Sequence, residues 1–165
     1  IMPRPIAPCL WFDNQAEEAA NYYVSVFKHA KITNVDRFSD SGPNLDADVV
    51  YVEFEINGQP FAALDGGPLF TFSEAISFVI EVADQAELDY YYDTLVRDGG
   101  EESQCGWLKD KYGLSWQIVP RRMLELLTGA DQGRAKRAME AMMTMKRIDI
   151  AAIERAAARG AGDGR

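Results

Sequence analysis

The sequence predicts an α+β fold: two tandem βαβββ modules followed by C-terminal helices. Three observations carry this. Gln15-Ala16-Glu17 returns as Gln85-Ala86-Glu87, an offset of 70. Around each triplet the order is the same, an apolar strand, a capped helix, then strands joined by tight turns. Alternation of period two, with Val50, Val52, Phe54 and Ile56 against Tyr51, Glu53 and Glu55, marks half-buried strands. The expected divisions are residues 7–68, 69–120 and a helical extension at 121–165.

Residues 7–12 form a short apolar run that predicts a buried strand. Asn14-Gln15-Ala16-Glu17 has the form of a capping box, an Asx cap with Glu at the third helical position. It opens a helix to about Phe27, with Ala16, Ala19, Ala20, Tyr23 and Phe27 as its buried stripe. Residues 31–38 can form a strand, and 39–46 is a polar loop of Gly, Pro and Asn. Asn57-Gly58 predicts a two-residue hairpin because both residues tolerate positive φ. In the second module, 76–82 reads as a strand, Asp84 caps a helix to about Val96, and strands follow near 101–104 and 105–108. Asp110-Lys111-Tyr112-Gly113 has Asp first and Gly fourth, the preference of a type I turn. The strand after it places Trp116 and Ile118 on one face, and Ser115, Gln117 and Val119 on the other. A Gln sharing a face with Val either hydrogen-bonds inside a cavity or lies on a wet surface. Beyond Pro120 helices are expected at 122–127, from the Asp131 cap to about Met145, and from the Asp149 cap to Ala158, with 160–165 disordered.

With 165 residues and 47% hydrophobic content the chain can bury a core. A net charge of -9 argues against nucleic acid and anionic membranes as partners. The tail from Asp131 carries eight basic and five acidic residues, and residues 1–130 carry nine and twenty-one. The tail is accordingly expected to be a solvated helical region, with docking on an acidic body as the alternative. Its Met139 and Met142 are expected to pack against the body or a partner. Cys9 and Cys105 suggest two reduced thiols in a cytoplasmic protein. No run has membrane-spanning length.

The residues 110–118 resemble the last hairpin of the vicinal oxygen chelate superfamily (glyoxalase I, bleomycin-resistance proteins, extradiol dioxygenases). An ordered set of pieces is similar to its PhnB-like branch, also called the 3-demethylubiquinone-9 3-methyltransferase domain. The pieces are Leu10-Trp11-Phe12, Gln15-Ala-Glu-Glu-Ala, Ala63-Leu-Asp-Gly-Gly-Pro68, Cys105-Gly-Trp-Leu, Ser115-Trp-Gln and a late Met145-Lys-Arg-Ile-Asp-Ile-Ala. The resemblance runs from about Pro8 to Ala158. It implies that the modules form a cupped mixed sheet, the glyoxalase/bleomycin-resistance fold, around a cavity, and that the chain is a homodimer. It also implies that Gln117 stands where metalloenzymes carry a ligating Glu. Ser77 matches the His of the second module's first strand, and Asp65 lies near the Glu of the first module's last strand. Around Pro8 to Leu10 there is no hard ligand.

The chemistry is sparse. His29 is the one histidine and sits near a helix end, so its expected role is that of a solvated helix-terminal residue. Catalytic zinc or iron ordinarily takes three protein ligands, and one carboxylate with a neutral amide makes a poor site. No metal or other cofactor is therefore expected. Neither cysteine has a nearby His base, and no G-x-S-x-G elbow, G-x-G-x-x-G turn or P-loop is present. No glycine-rich turn after a first strand supports methyl transfer. The expected site is a pocket for a small, partly apolar molecule, with Trp11, Asp65, Ser77, Cys105, Trp107 and Gln117 as binding residues. Trp116 is expected near it, although for each Trp by itself core packing is the favoured role. Two other readings stand beside it. One is a metal-dependent lyase, isomerase or dioxygenase recruiting Asp65 with Glu81 or Glu53. The other is a structural or regulatory dimer.

Overall fold

The computed structural model describes residues 2–38 and 49–159. The loop expected at 39–46 and the tail at 160–165 lie outside the described residues. The chain divides into two compact units, Ile1–Thr71 and Phe72–Arg165.

The first unit runs β1 (Cys9–Phe12), α1 (Ala16–Val26), β2 (Ala30–Phe38), β3 (Val49–Ile56) and β4 (Gln59–Asp65). Its sheet order is β1-β4-β3-β2, parallel only between β1 and β4. Leu10 and Phe12 of β1 and Val50, Val52, Phe54 and Ile56 of β3 are buried. Above them α1 buries Ala16, Ala19 and Ala20, whose small side chains admit the helix close to the sheet, and Tyr23. Tyr23, Phe54 and Phe61 form a stack with centroid spacings of 6.3 and 5.3 Å. Asn57 (φ 51°) and Gly58 (φ 81°) make the predicted hairpin turn. The Asn57 N–H donates to the carbonyl of His29, which is exposed.

The second unit repeats the order as β5 (Phe78–Val82), α2 (Gln85–Val96), β6 (Glu101–Glu102), β7 (Trp107–Lys109) and β8 (Ser115–Pro120), with sheet order β5-β8-β7-β6. Again only the β5–β8 pair is parallel. Asp84 caps α2 by accepting from the Glu87 N–H at 2.9 Å, while Glu87 accepts from the Ala83 N–H at 3.0 Å. The two units thus share one strand order, as the offset of 70 predicts.

Two details of these units differ from expectation. Asn14 does not cap α1; it turns the chain at φ 59°, and Asp65, brought beside β1 by the parallel pairing, accepts from the Ala16 N–H at 2.8 Å. Cys105 is not on a strand. Its φ of 57° belongs to a turn closed by the Trp107 N–H on the Gln104 carbonyl, so β7 begins at Trp107.

The tail is not a freely solvated helix. Its helices α3 (Arg121–Thr128), α4 (Gln132–Met142) and α5 (Ile150–Ala158) pack on one another, and α3 also packs on β8. The connection between α4 and α5 grips the body. Cys105 and Gly106 donate to the Met145 and Lys146 carbonyls, both at 2.8 Å. The Gln85 side chain bonds Ile148 and Ile150 backbone atoms at 3.0 and 2.9 Å. Arg147 pairs with Asp89 and Asp93 and lies 4.4 Å from the Tyr92 ring centroid. Gly106 (φ 85°) is required here, since a Cβ would come 3.1 Å from Ile148 and 3.0 Å from the Ile118 carbonyl. Met139 and Met143 remain 42% and 64% exposed, whereas Ala138 is the buried residue of α4.

Candidate functional site

Each sheet has a helix-covered face and an open one, and alternation assigns every strand residue to one or the other. In the second unit Phe78, Ile80, Val82, Trp116 and Ile118 lie on the helix side. The open face carries Val79, Gln117 and Trp107, which stand side by side because Val79 and Trp107 are the register partners of Gln117 on either edge. Gln117 is half-buried and donates to the Ser77 hydroxyl at 2.9 Å. The other atom of its amide has no partner among the described residues, and neither does the Trp107 indole N–H. Val79, 61% exposed, gives this polar pair an apolar flank. Ser77, Trp107 and Gln117 are therefore brought together as expected. Cys105, in its turn, donates its backbone N–H to the Met145 carbonyl.

Trp116, expected near the cavity, lies on the opposite face at 4% exposure and donates its indole N–H to Asp110 at 2.9 Å.

In the first unit Trp11 is on the open face, with its N–H already donated to the Gly67 carbonyl at 2.9 Å. Its ring meets Phe70 edge-on at 5.0 Å, and a Cβ at Gly66 would overlap it. Asp65 belongs to the other face. Its side chain reaches the N-terminus of α1, so it serves as a helix cap and not as a pocket group. The register shows why the assignment fails. Cys9 opposes Ala62 as Val79 opposes Gln117, so the counterpart of Gln117 is Ala62, three residues before Asp65 and on the opposite face.

The first unit also holds a hollow of about 520 Å³ on its open face, lined by Arg4, Tyr51, Glu53, Glu55, Pro60 and Ala62 among others. None of the six residues singled out from the sequence lines it. The signal was present, since Tyr51, Glu53 and Glu55 are the polar side of the alternating β3. Burial, with Cys9 and Glu53 nearby, raises the Tyr51 phenol, and burial raises the Cys9 thiol. Arg4 lies 3.8 Å from Glu53, but at 88% side-chain exposure the pair binds weakly.

As donors for a divalent metal these residues do not fit. Gln117 and Ser77 are neutral, and the corresponding first-unit positions hold Ala62 and, two residues before Cys9, Ala7. Among the described residues no three His, Cys, Asp or Glu side chains gather closely enough to hold an ion.

The family model for 3-demethylubiquinone-9 3-methyltransferase matches residues 4–119. The chain belongs to this family. A solved PhnB protein from Bacillus cereus in the same family is 32% identical, with 71% of this chain and 99% of that one covered at a TM-score of 0.63. A Pseudomonas aeruginosa protein at 19% identity covers 72% and 98% with a TM-score of 0.58. The fosfomycin resistance protein FosX of Listeria monocytogenes, solved as a mutant with Mn(II) and 1S,2S-dihydroxypropylphosphonic acid, is 13% identical, covering 72% and 93% with a TM-score of 0.50. These last two show the fold alone. No curated protein matches the chain. The family's name mentions methyl transfer, but β1 runs into Asp13-Asn14-Gln15, without the glycines of a cofactor turn. Among the described residues no helix is long and apolar enough to cross a membrane.

Proposed function

We propose that this member of the PhnB-like vicinal oxygen chelate family binds a small, partly apolar molecule on the open face of its second sheet, without a metal, and that it acts as a homodimer in the cytoplasm. One observation carries the binding reading. Mid-strand Gln117 is held by Ser77 and leaves half of its amide open beside a Trp107 N–H that has no partner among the described residues, with Val79 as an apolar flank. An amide can donate and accept, so it suits a ligand carbonyl or hydroxyl. Stacking on Trp107 would supply the apolar contact.

The runner-up is a metal-dependent lyase, isomerase or dioxygenase of this fold, which the Mn(II) in the FosX structure recommends. Thermal melts of wild type and Gln117→Glu, with and without zinc or nickel, separate the two. The half-buried carboxylate is expected to cost about 1 kcal/mol, and neither metal is expected to raise either melting temperature, because no second hard donor stands beside it. Recovery of Gln117→Glu by zinc would favour the metal reading. For the homodimer, light scattering at micromolar concentration is expected to give twice the chain mass; a monomer would refute it.

A further inference from the structure

The Gln117 face has a covered end. Alternation along β8 puts Ser115 on the same side as Gln117 and Val119, yet Ser115 is 1% exposed. Its hydroxyl has no hydrogen-bond partner among the described residues. Buried hydroxyls are ordinarily satisfied, so this one calls for an explanation. The segment that leads into β5, residues 72–77, is held beside it at two points. Glu74 pairs with Lys109, the register partner of Ser115 on β7. Ser77 holds Gln117, two residues further along β8. Between these anchors residues 73–76 are exposed outward, and Phe72 is half-buried where the segment begins. The Lys109 and Glu74 side chains are themselves 34% and 61% exposed, so water reaches the ion pair and it can be released at little cost.

We infer that residues 72–77 form a lid, and that Ser115, Gln117 and Ser77 line a subsite beneath it for an uncharged hydroxyl- or carbonyl-bearing group of a small molecule. The inference rests on the binding reading above and adds to it a buried subsite, the restriction to an uncharged group, and a gate. The three groups are neutral, and the two charges beside them neutralise one another, so an ionic ligand gains nothing there and loses its hydration. Ser115 can either donate or accept, as its orphaned state in the closed form requires of a group awaiting a partner. Trp107, opposite Gln117, walls the subsite with an aromatic ring.

Two measurements test this without knowing the natural ligand. In the first, benzyl alcohol, benzoate and benzylammonium are titrated into the ¹⁵N-labelled protein and followed by NMR. Benzyl alcohol is expected to shift the Gln117 side-chain amide and the Ser115 backbone amide, the charged analogues much less, and Ser115→Ala to weaken the alcohol's binding about fivefold. In the second, Ser115→Cys is made with Cys9→Ser and Cys105→Ser, and labelling by iodoacetamide is timed. Labelling is expected to be slow and to quicken by about threefold to fivefold in Glu74→Gln, as release of an exposed ion pair allows. If Ser115→Ala leaves the alcohol's effect on Gln117 intact, the subsite is wrong while the binding reading survives; a trapped structural water would give this result. If no probe moves Gln117, both fail. Labelling that does not respond to Glu74→Gln, whether always fast or confined to global unfolding, overturns the lid.

Discussion

Asp110 keeps a carboxylate at 2% exposure, and its surroundings explain how. Oδ1 accepts from the Tyr112 and Leu114 N–H groups at 2.9 and 3.1 Å, and Oδ2 accepts from the Trp116 indole at 2.9 Å. The Gly113 N–H closes the turn on the Asp110 carbonyl at 2.9 Å, with φ 84° at the glycine. One residue thus ties the turn to the core through Trp116. Asp110→Asn sets an NH2 against either the indole or the turn amides, so it is expected to cost about 1–3 kcal/mol by urea denaturation. The Asp-x-x-Gly turn was legible in the sequence because its chemistry is local. The indole bond was not, so Trp116 is expected near the cavity from its strand, with core packing favoured for the ring itself. Asp65 failed for the same reason: the helix end it caps is 49 residues away in the chain. Gln117 was legible because alternation alone gives its face.

Among the elements, α2 shows how local and distant signals divide. Its Asp84 cap, its length and its stripe of Leu88, Tyr92 and Leu95 follow from capping and period. Its partnership with the tail does not, because it depends on single side chains such as Gln85 and Arg147 meeting backbone and carboxylates 54 to 65 residues away. Tyr92 joins these parts: its ring lies under Arg147 and its hydroxyl donates to Glu102 at 2.9 Å. Burial first, then the bond to Glu102, raises the phenol far above its ordinary value, with Arg147 opposing. A group raised in the folded state contributes its full stability below its unfolded pKa and loses it as pH climbs from there toward the folded value. Stability is therefore expected to fall as pH passes about 10, where an unfolded tyrosine ionises and Tyr92 does not. Tyr92→Phe, though it loses the Glu102 bond, should flatten that alkaline decline. Urea midpoints of both proteins from about pH 8 to 11 check it. An unchanged slope in the variant would show that other groups cause the decline.

At the scale of the whole molecule the internal repeat explains both what is shared and what is not. Strand order, parallel closing pair and helix placement recur in each unit, because each must cover one sheet face with one helix. The open faces then diverge. One has Ala62 and an acidic hollow; the other has Gln117, Ser77 and Trp107. The repeat made the architecture readable, but faces that carry function need not repeat, which is why the hollow at Tyr51 and Glu53 went unread. The proposed function concentrates in the second unit and depends on Gln117. Native mass spectrometry of wild type and Gln117→Ala, purified identically without added ligand, tests it most directly. The account predicts that wild type retains a non-covalent small molecule, free of metal, which Gln117→Ala loses while its unfolding free energy stays within about 1 kcal/mol of wild type. An adduct of the same mass and occupancy on both proteins would contradict it.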